Sequence, residues 1–153
     1  MGEKPTGQGM GPLLVVDADV FIDHLRGVEA ATTYLRGIPR EQRATTDVSV
    51  MELLRGATNK RQTDAIGCFL LHNRFVSLPV TTAASRRAVV LVRRYALSHG
   101  MKLPDALVAA ICMEPERRLV TLNLRHFEYL PGLAVQKPPY AQALAAARED
   151  RDD

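Results

Sequence analysis

Short strand-forming runs alternate with helical stretches along this chain, and that alternation leaves few folds open. Residues 13–16 (LLVV), 43–46 (RATT), 75–78 (FVSL) and 119–122 (LVTL) each have the length and composition of one strand, and residues 133–135 add a fifth, short edge candidate. Between them, residues 19–26, 28–35, 49–54, 63–72, 81–98 and 104–112 space their apolar side chains as helices do. Gly27, Gly37, Gly56, Gly100 and Pro79 punctuate the pattern, and Pro104 sits in a first helical turn, where its missing N–H costs nothing. Strands that alternate with helices predict an α/β fold whose sheet is mainly parallel and covered on both faces. No internal repeat or domain linker interrupts it.

The chain's 153 residues suit one domain, and 46% hydrophobic content supplies a core. Residues 1–12 read as a flexible, Gly-rich leader, residues 13–137 as the folded domain, and residues 138–153 as a polar, acidic tail. Within the tail, residues 141–148 have helical propensity but no apolar face to dock. No apolar run reaches the roughly 18–20 residues of a membrane span, and the leader lacks the apolar segment of a secretory signal. Cys68 and Cys112 lie in apolar helical patterns without CxxC spacing, which predicts reduced core thiols in a cytoplasmic protein.

Net charge is +3, but the last five residues carry four of the acidic groups. Without those five, 19 basic and 13 acidic side chains remain, a net of +6. A basic body suits a polyanionic partner, and it equally suits an ordinary basic domain. Arg86, Arg87, Arg93 and Arg94 form one helical stripe that reads as a solvated face. Arg117, Arg118 and Arg125 flank the fourth strand and are the candidates for contact with a polyanion's phosphates. Four Phe, four Tyr and no Trp leave little for base stacking.

Against that background four positions stand out: Asp17, Glu52, Asp105 and Asn123. Each falls at the end of a strand or the start of a helix, where an α/β fold gathers distant groups at the carboxyl edge of its sheet. Three carboxylates converging there repel one another unless a hard cation such as Mg²⁺ or Mn²⁺ joins them. Singly, each position also has a plainer role. Asp17 can cap the helix that follows it, and Glu52, three residues after Ser49, has the spacing of a capping box. Asp105 can meet a helix dipole, and Asn123 can open a turn.

The segments LLVVDADVFIDHLRG, TTDVSVMELLRGA, LPDALVAA and LVTLNLRHF, taken in order, resemble the four motifs of PIN-domain ribonucleases, and most closely the VapC-type toxins of bacterial toxin–antitoxin pairs. The resemblance covers nearly all of residues 13–135. It implies a three-layer α/β/α sandwich with a short sheet of four or five strands. It also implies an endoribonuclease that requires Mg²⁺ or Mn²⁺, a homodimer, and neutralisation by a cognate antitoxin. The family's acidic positions map onto Asp17, Glu52 and Asp105, and its variable fourth position onto Asn123. On this reading the three carboxylates hold the cation directly or through water, and Glu52 accepts a proton from the attacking water. Asn123, being neutral, orients water or substrate. The apolar faces of residues 20–35 and 63–71 are candidates for antitoxin docking. Two departures stand out: Ala18 replaces the usual Ser or Thr, and Asp19 replaces the more usual Asn. Asp19 reads as a cap of helix 19–26 in preference to a water-mediated cation contact. His126, close to Asn123, reads as a turn residue packed beside Phe127.

Two rivals use part of the same pattern. Asp17-Ala18-Asp19 after an apolar strand also resembles the DxD motif of haloacid-dehalogenase-type phosphatases, in which the first Asp attacks phosphorus. That reading leaves Glu52 and Asp105 without a role. A catalytically silent nucleic-acid or partner-binding module is the other, and an intact acidic set argues against it.

Overall fold

In the computed structural model, which describes residues 11–152, Leu13–Val16 (β1) is the central strand of a five-stranded sheet. Arg43–Thr46 (β2) and Val76–Leu78 (β3) lie to one side of it, and Arg117–Val120 (β4) and Val135–Gln136 (β5) to the other. All pairs are parallel in the order β3-β2-β1-β4-β5, so the expected α/β sandwich is the observed one. The chain builds outward from β1 in one direction, then crosses to build in the other. That reversal places a crevice at the carboxyl ends of β1 and β4, where such sheets bind ligands.

The period of two along β1 sorts its side chains between the layers. Val15 joins a core with Ala88 and Leu91 of α5 (Thr82–His99) and Ala106, Val108 and Ala109 of α6 (Leu103–Cys112). Val16 faces the other way, into a core with Val20 and Phe21 of α1 (Ala18–Leu25), Leu35 of α2 (Glu29–Gly37) and Ile66 of α4 (Lys60–His72). The connecting helix α3 (Asp47–Gly56) gives Val48 to the first core and Leu53 to the second. Phe21 meets Phe75 edge to face at 5.1 Å, the arrangement that aromatic quadrupoles prefer.

Polar side chains fix where the helices begin. Asp17 caps α1 through the Ala18 N–H at 2.9 Å. Asn59 caps α4 and Thr81 caps α5 through the N–H three residues on, at 2.9 and 3.0 Å. Gly100, at φ 62°, ends α5 in the left-handed conformation that glycine adopts without penalty. α3 departs from expectation. Its cap is Thr46, whose Oγ1 accepts the Ser49 N–H at 3.0 Å, so the helix starts at Asp47 and not at Ser49. Glu52 therefore lies in the second turn and has no part in a capping box.

Three other expectations shift. β4 begins two residues earlier than hydropathy indicated, because Arg117 and Arg118 pair in register with Leu13 and Leu14. It ends at Val120, because the Leu122 N–H turns away to a side-chain acceptor. Cys112 is a buried thiol as expected, whereas Cys68 is exposed on α4 and belongs to no core. The C-terminal helix α7 starts at Pro139, and its first turn does dock: Tyr140 donates to Asp23 Oδ2 at 2.9 Å and packs near Tyr34. Of the expected leader only Gly11 and Pro12 fall within the described residues; residues 1–10 and Asp153 of the acidic tail lie outside them.

At the amino edge a buried cation ties the layers. Arg43, 8% exposed, donates to the carbonyls of Arg36, Ile38 and Asn73 at 2.7, 2.8 and 2.9 Å, and its guanidinium lies over the Phe75 ring. Three carbonyls at loop ends thus share one side chain, whose five fixed donors suit the task as lysine's would not. Arg43→Met keeps the volume and strands the carbonyls. It is expected to lower stability by about 3 kcal/mol, read as a fall in urea midpoint at constant m-value. An unchanged midpoint would show that water replaces the guanidinium at no cost.

Candidate active site

Asp17 leaves β1 at its carboxyl end with its backbone bonded to Val120 of β4. Its Oδ1 accepts from Ala18 N and, at 3.4 Å, from Ser49 Oγ; its Oδ2 accepts from Thr121 Oγ1 at 2.9 Å. Three elements thus aim one carboxylate: the start of α1, the first turn of α3 and the end of β4. Ser49 and Thr121 are fully buried. Sequence reading gave Ser49 only a capping role and Thr121 no part in this site; the available signal was their position, each a small hydroxyl residue shortly after a strand.

Asp19 does not cap α1, since Asp17 fills that role. It reaches across to the chain leaving β4, where its Oδ2 takes the Leu122 N–H at 3.0 Å, Thr121 Oγ1 at 3.1 Å and Asn123 Nδ2 at 3.2 Å. Its other oxygen, Oδ1, is buried with no hydrogen-bond partner among the described residues. Asn123 is therefore a partner of Asp19 and of the turn itself, through its own N–H to Thr121 Oγ1 at 3.1 Å.

Asp105 stands in the first turn of α6, half-buried, with His126 Nδ1 3.1 Å from its Oδ2. His126 thus faces the crevice, with its ring centroid 6.4 Å from that of Phe127, which is buried in the core. Glu52 is exposed on α3 at the rim, close enough to feel the charges of both Asp17 and Asp105.

The electrostatics are those of crowded carboxylates. Burial raises the proton affinity of Asp17, and the charge of Asp105 adds to it against the hydrogen bonds from Thr121, Ala18 and Ser49. Burial also raises Glu52, with Asp17 and then Asp105 adding to the effect. Asp105 is raised by burial and partly restored by His126. Asp19 is pushed up to about 7 by burial and the neighbouring Asp17. No Lys or Arg forms an ion pair with any of these four carboxylates among the described residues. A hard divalent cation fits such a donor set: all oxygen, net negative, with one buried oxygen left over at Asp19. No three such groups among the described residues stand close enough to form a finished ligand cage.

The basic residues divide. Arg125 lines a cleft beside Asp105, with His99, Lys102, His126 and Tyr129. Arg117 and Arg118 do not flank the crevice. They open β4, and two to three residues at about 3.3 Å each separate them from its carboxyl end. Arg117 is bonded to the Ile111 carbonyl and Arg118 to Gln136. Arg87 of the expected stripe holds the Ala110 carbonyl and Glu114, a structural tie between α5 and the end of α6.

With this geometry in hand, the comparisons are consistent. A family model described as PIN domain matches residues 14–133. Ribonuclease VapC10 of Mycobacterium tuberculosis is 36% identical over 131 residues, 84% of this chain and 94% of that protein. Ribonuclease VapC19 of the same species is 33% identical over 129 residues, 82% of this chain and 98% of that protein. A toxin–antitoxin complex from Klebsiella pneumoniae contains a chain that superposes with a TM-score of 0.67 at 27% identity, covering 82% of this chain and 97% of that one. VapBC2 of Rickettsia felis, bound to a promoter DNA fragment, gives 0.68 at 17% identity over 82% of this chain and 98% of that one, a likeness of fold. The phosphatase alternative is set aside, because it leaves idle Asp105, whose charge acts on Asp17, and Glu52, which feels the charge of both. The chain belongs to the PIN-domain family, and within it to the VapC type.

Proposed function

We propose that this chain is an endoribonuclease that acts as the toxin of a toxin–antitoxin pair, cleaving cellular RNA to restrain translation and growth, and that hydrolysis requires Mg²⁺, with Mn²⁺ able to replace it. The observation that carries the reading is the convergence of Asp17, Glu52 and Asp105 on one crevice, with each carboxylate raised by burial and none paired with Lys or Arg among the described residues. The family and the VapC ribonucleases it resembles supply the reaction class.

A bound divalent cation would activate water and offset charge on the attacked phosphate. The residues divide the remaining work. Of the three, Asp17 and Asp105, the two more buried, would hold the cation, with Glu52 completing the set directly or through water. Thr121 and Ser49 donate to Asp17 and fix its rotamer, as partners of ligating carboxylates do. Glu52, exposed at the rim, is the acceptor for the proton of the attacking water. Asn123 is a positioning residue, since its amide is spent on Asp19. A catalytically silent module would have no need to keep these carboxylates crowded, because crowding destabilises the fold.

Partners follow from the apolar surfaces. A groove of about 500 Å³ between α1, α3 and α4, lined by Ile22, Leu25, Leu53, Ala65 and Ile66, ends at Glu52. It takes in parts of both stretches expected to dock the antitoxin, residues 20–35 and 63–71. On the opposite layer Val89, Val90 and Leu97 of α5 and Leu103 of α6 stand exposed, and this face is assigned to the homodimer. A cytoplasmic location follows from the proposed cellular RNA substrate; separately, no helix among the described residues is long and apolar enough to cross a membrane.

Asp17→Asn and Asp105→Asn are each expected to lower RNA cleavage in Mg²⁺ by about a hundredfold or more, with far-UV circular dichroism unchanged. Full activity in Asp105→Asn would remove that residue from the site. Mn²⁺ is expected to raise the Tm of the wild-type chain, as any ligand of the folded state does. Asp17→Asn should flatten that response; an equal rise in both would place the ion elsewhere. In chelator, Thr121→Val is expected to lower stability by about 1–3 kcal/mol, because the donor to two buried carboxylates is lost. Urea titration checks it, and a stabilised variant would contradict the hydrogen-bond account.

A further inference from the structure

The crevice has a basic side as well as an acidic one. Lys102 and Arg125 line the small cleft that has Asp105 on its wall, together with His99, His126 and Tyr129. Both cations are exposed, and neither joins an ion pair or a side-chain hydrogen bond among the described residues. They come from different elements: Lys102 is the N-terminal cap residue of α6, and Arg125 lies in the turn after β4. No side chain caps the first amides of α6, so the positive end of that helix adds to the same field.

The size and the lining of the cleft decide what it takes. Its volume is about 110 Å³, too small for a stacked nucleobase with its ribose. Its aromatic wall is already occupied: Tyr129 stacks on His99 with centroids 3.9 Å apart, and Tyr95 meets its edge at 5.2 Å. A base would have to displace one of those rings. A phosphate group needs no ring face. It needs cations and donors, which the cleft supplies beside Asp105.

We propose that this cleft binds the RNA phosphate next to the scissile one, with Lys102 and Arg125 as its two contacts, and so sets which linkage lies over Asp17 and Asp105. The acidic side then handles the reacting phosphate and the basic side holds its neighbour. Lys102 and Arg125 are positioning residues for the chain of the substrate, and they take no part in proton transfer. This inference rests on the endoribonuclease reading.

The test uses the full chain and a short oligoribonucleotide that contains a cleavage site mapped with the wild type in Mg²⁺. Lys102→Gln and Arg125→Gln are each expected to raise KM about tenfold with kcat within about twofold, the pattern of lost substrate binding. The slope of log affinity for the same RNA against log salt, read by fluorescence anisotropy in chelator, should fall by about one for each variant. Arg40→Gln, an exposed cation at the amino edge of the sheet, should change neither. An oligonucleotide with one uncharged methylphosphonate linkage beside the scissile bond should weaken the wild type by the same factor and leave Arg125→Gln no weaker than before. Wild-type KM and salt slope in both variants would overturn the cleft assignment, and so would full additivity of methylphosphonate and substitution. Absence of any RNA cleavage by the wild type would count instead against the nuclease reading, and the anisotropy slopes would still decide whether the cleft holds a phosphate.

Discussion

One hydroxyl proton holds the centre of this molecule together. Thr121 Oγ1 lies 2.9 Å from Asp17 Oδ2 and 3.1 Å from Asp19 Oδ2, while accepting the Asn123 N–H. A hydroxyl has a single proton to give, so the two carboxylates share it. The sharing exists only because β1 and β4 are parallel neighbours in a register that sets Val16 beside Val120. Residues one step past that pair, Asp17 and Thr121, must then meet. Every other feature of the crevice is arranged around the repulsion this contact concentrates. Ser49 and the Ala18 N–H relieve Asp17, and Leu122 and Asn123 relieve Asp19.

The relief is incomplete, and the residue of charge is what a cation would use. A carboxyl raised above its ordinary pKa destabilises the fold at neutral pH, because the folded state must either ionise it at a penalty or bind a proton that the unfolded chain does not. The chain therefore carries a deficit at its carboxyl edge and must hold the sheet by other means. The opposite edge shows them: Arg43 collects three carbonyls, Phe21, Phe69 and Phe75 cluster nearby, and both cores meet β1 from either side. Stability and chemistry lie at opposite ends of the same strands.

Much of this was legible in the sequence because it depends on local pattern. β1 and β2 begin and end where their composition indicated, and α5 and α6 follow from their apolar spacing, a terminal glycine and an early proline. What failed was whatever depends on a partner far along the chain. β4 starts in two arginines that hydropathy discounts, because strand pairing with Leu13 and Leu14 selects them. Ser49 reads as a cap because Glu52 follows it at capping-box spacing; Thr46 caps the helix instead. His126 has no local signal for its contact with Asp105, which comes from another helix 21 residues earlier. Arg117 and Arg118 seemed well placed because they adjoin a strand, yet a strand has two ends and only one faces the crevice.

The ambiguity of the acidic residues also has a physical resolution. For Asp17, capping and site geometry were treated as competing explanations, and the structure makes them one. A residue that follows a parallel strand and precedes a helix points its side chain across the carboxyl edge of the sheet whether or not it caps. The Ala18 N–H that it accepts favours the ionised carboxylate, as does the positive end of α1. Capping therefore opposes, in part, the burial that raises the proton affinity of Asp17. Asp19, two residues on, has lost that position and leans on β4's exit turn, so it retains a buried oxygen without a donor. Burial raises both acids of this short segment, and only Asp17 has the helix mouth to set against it.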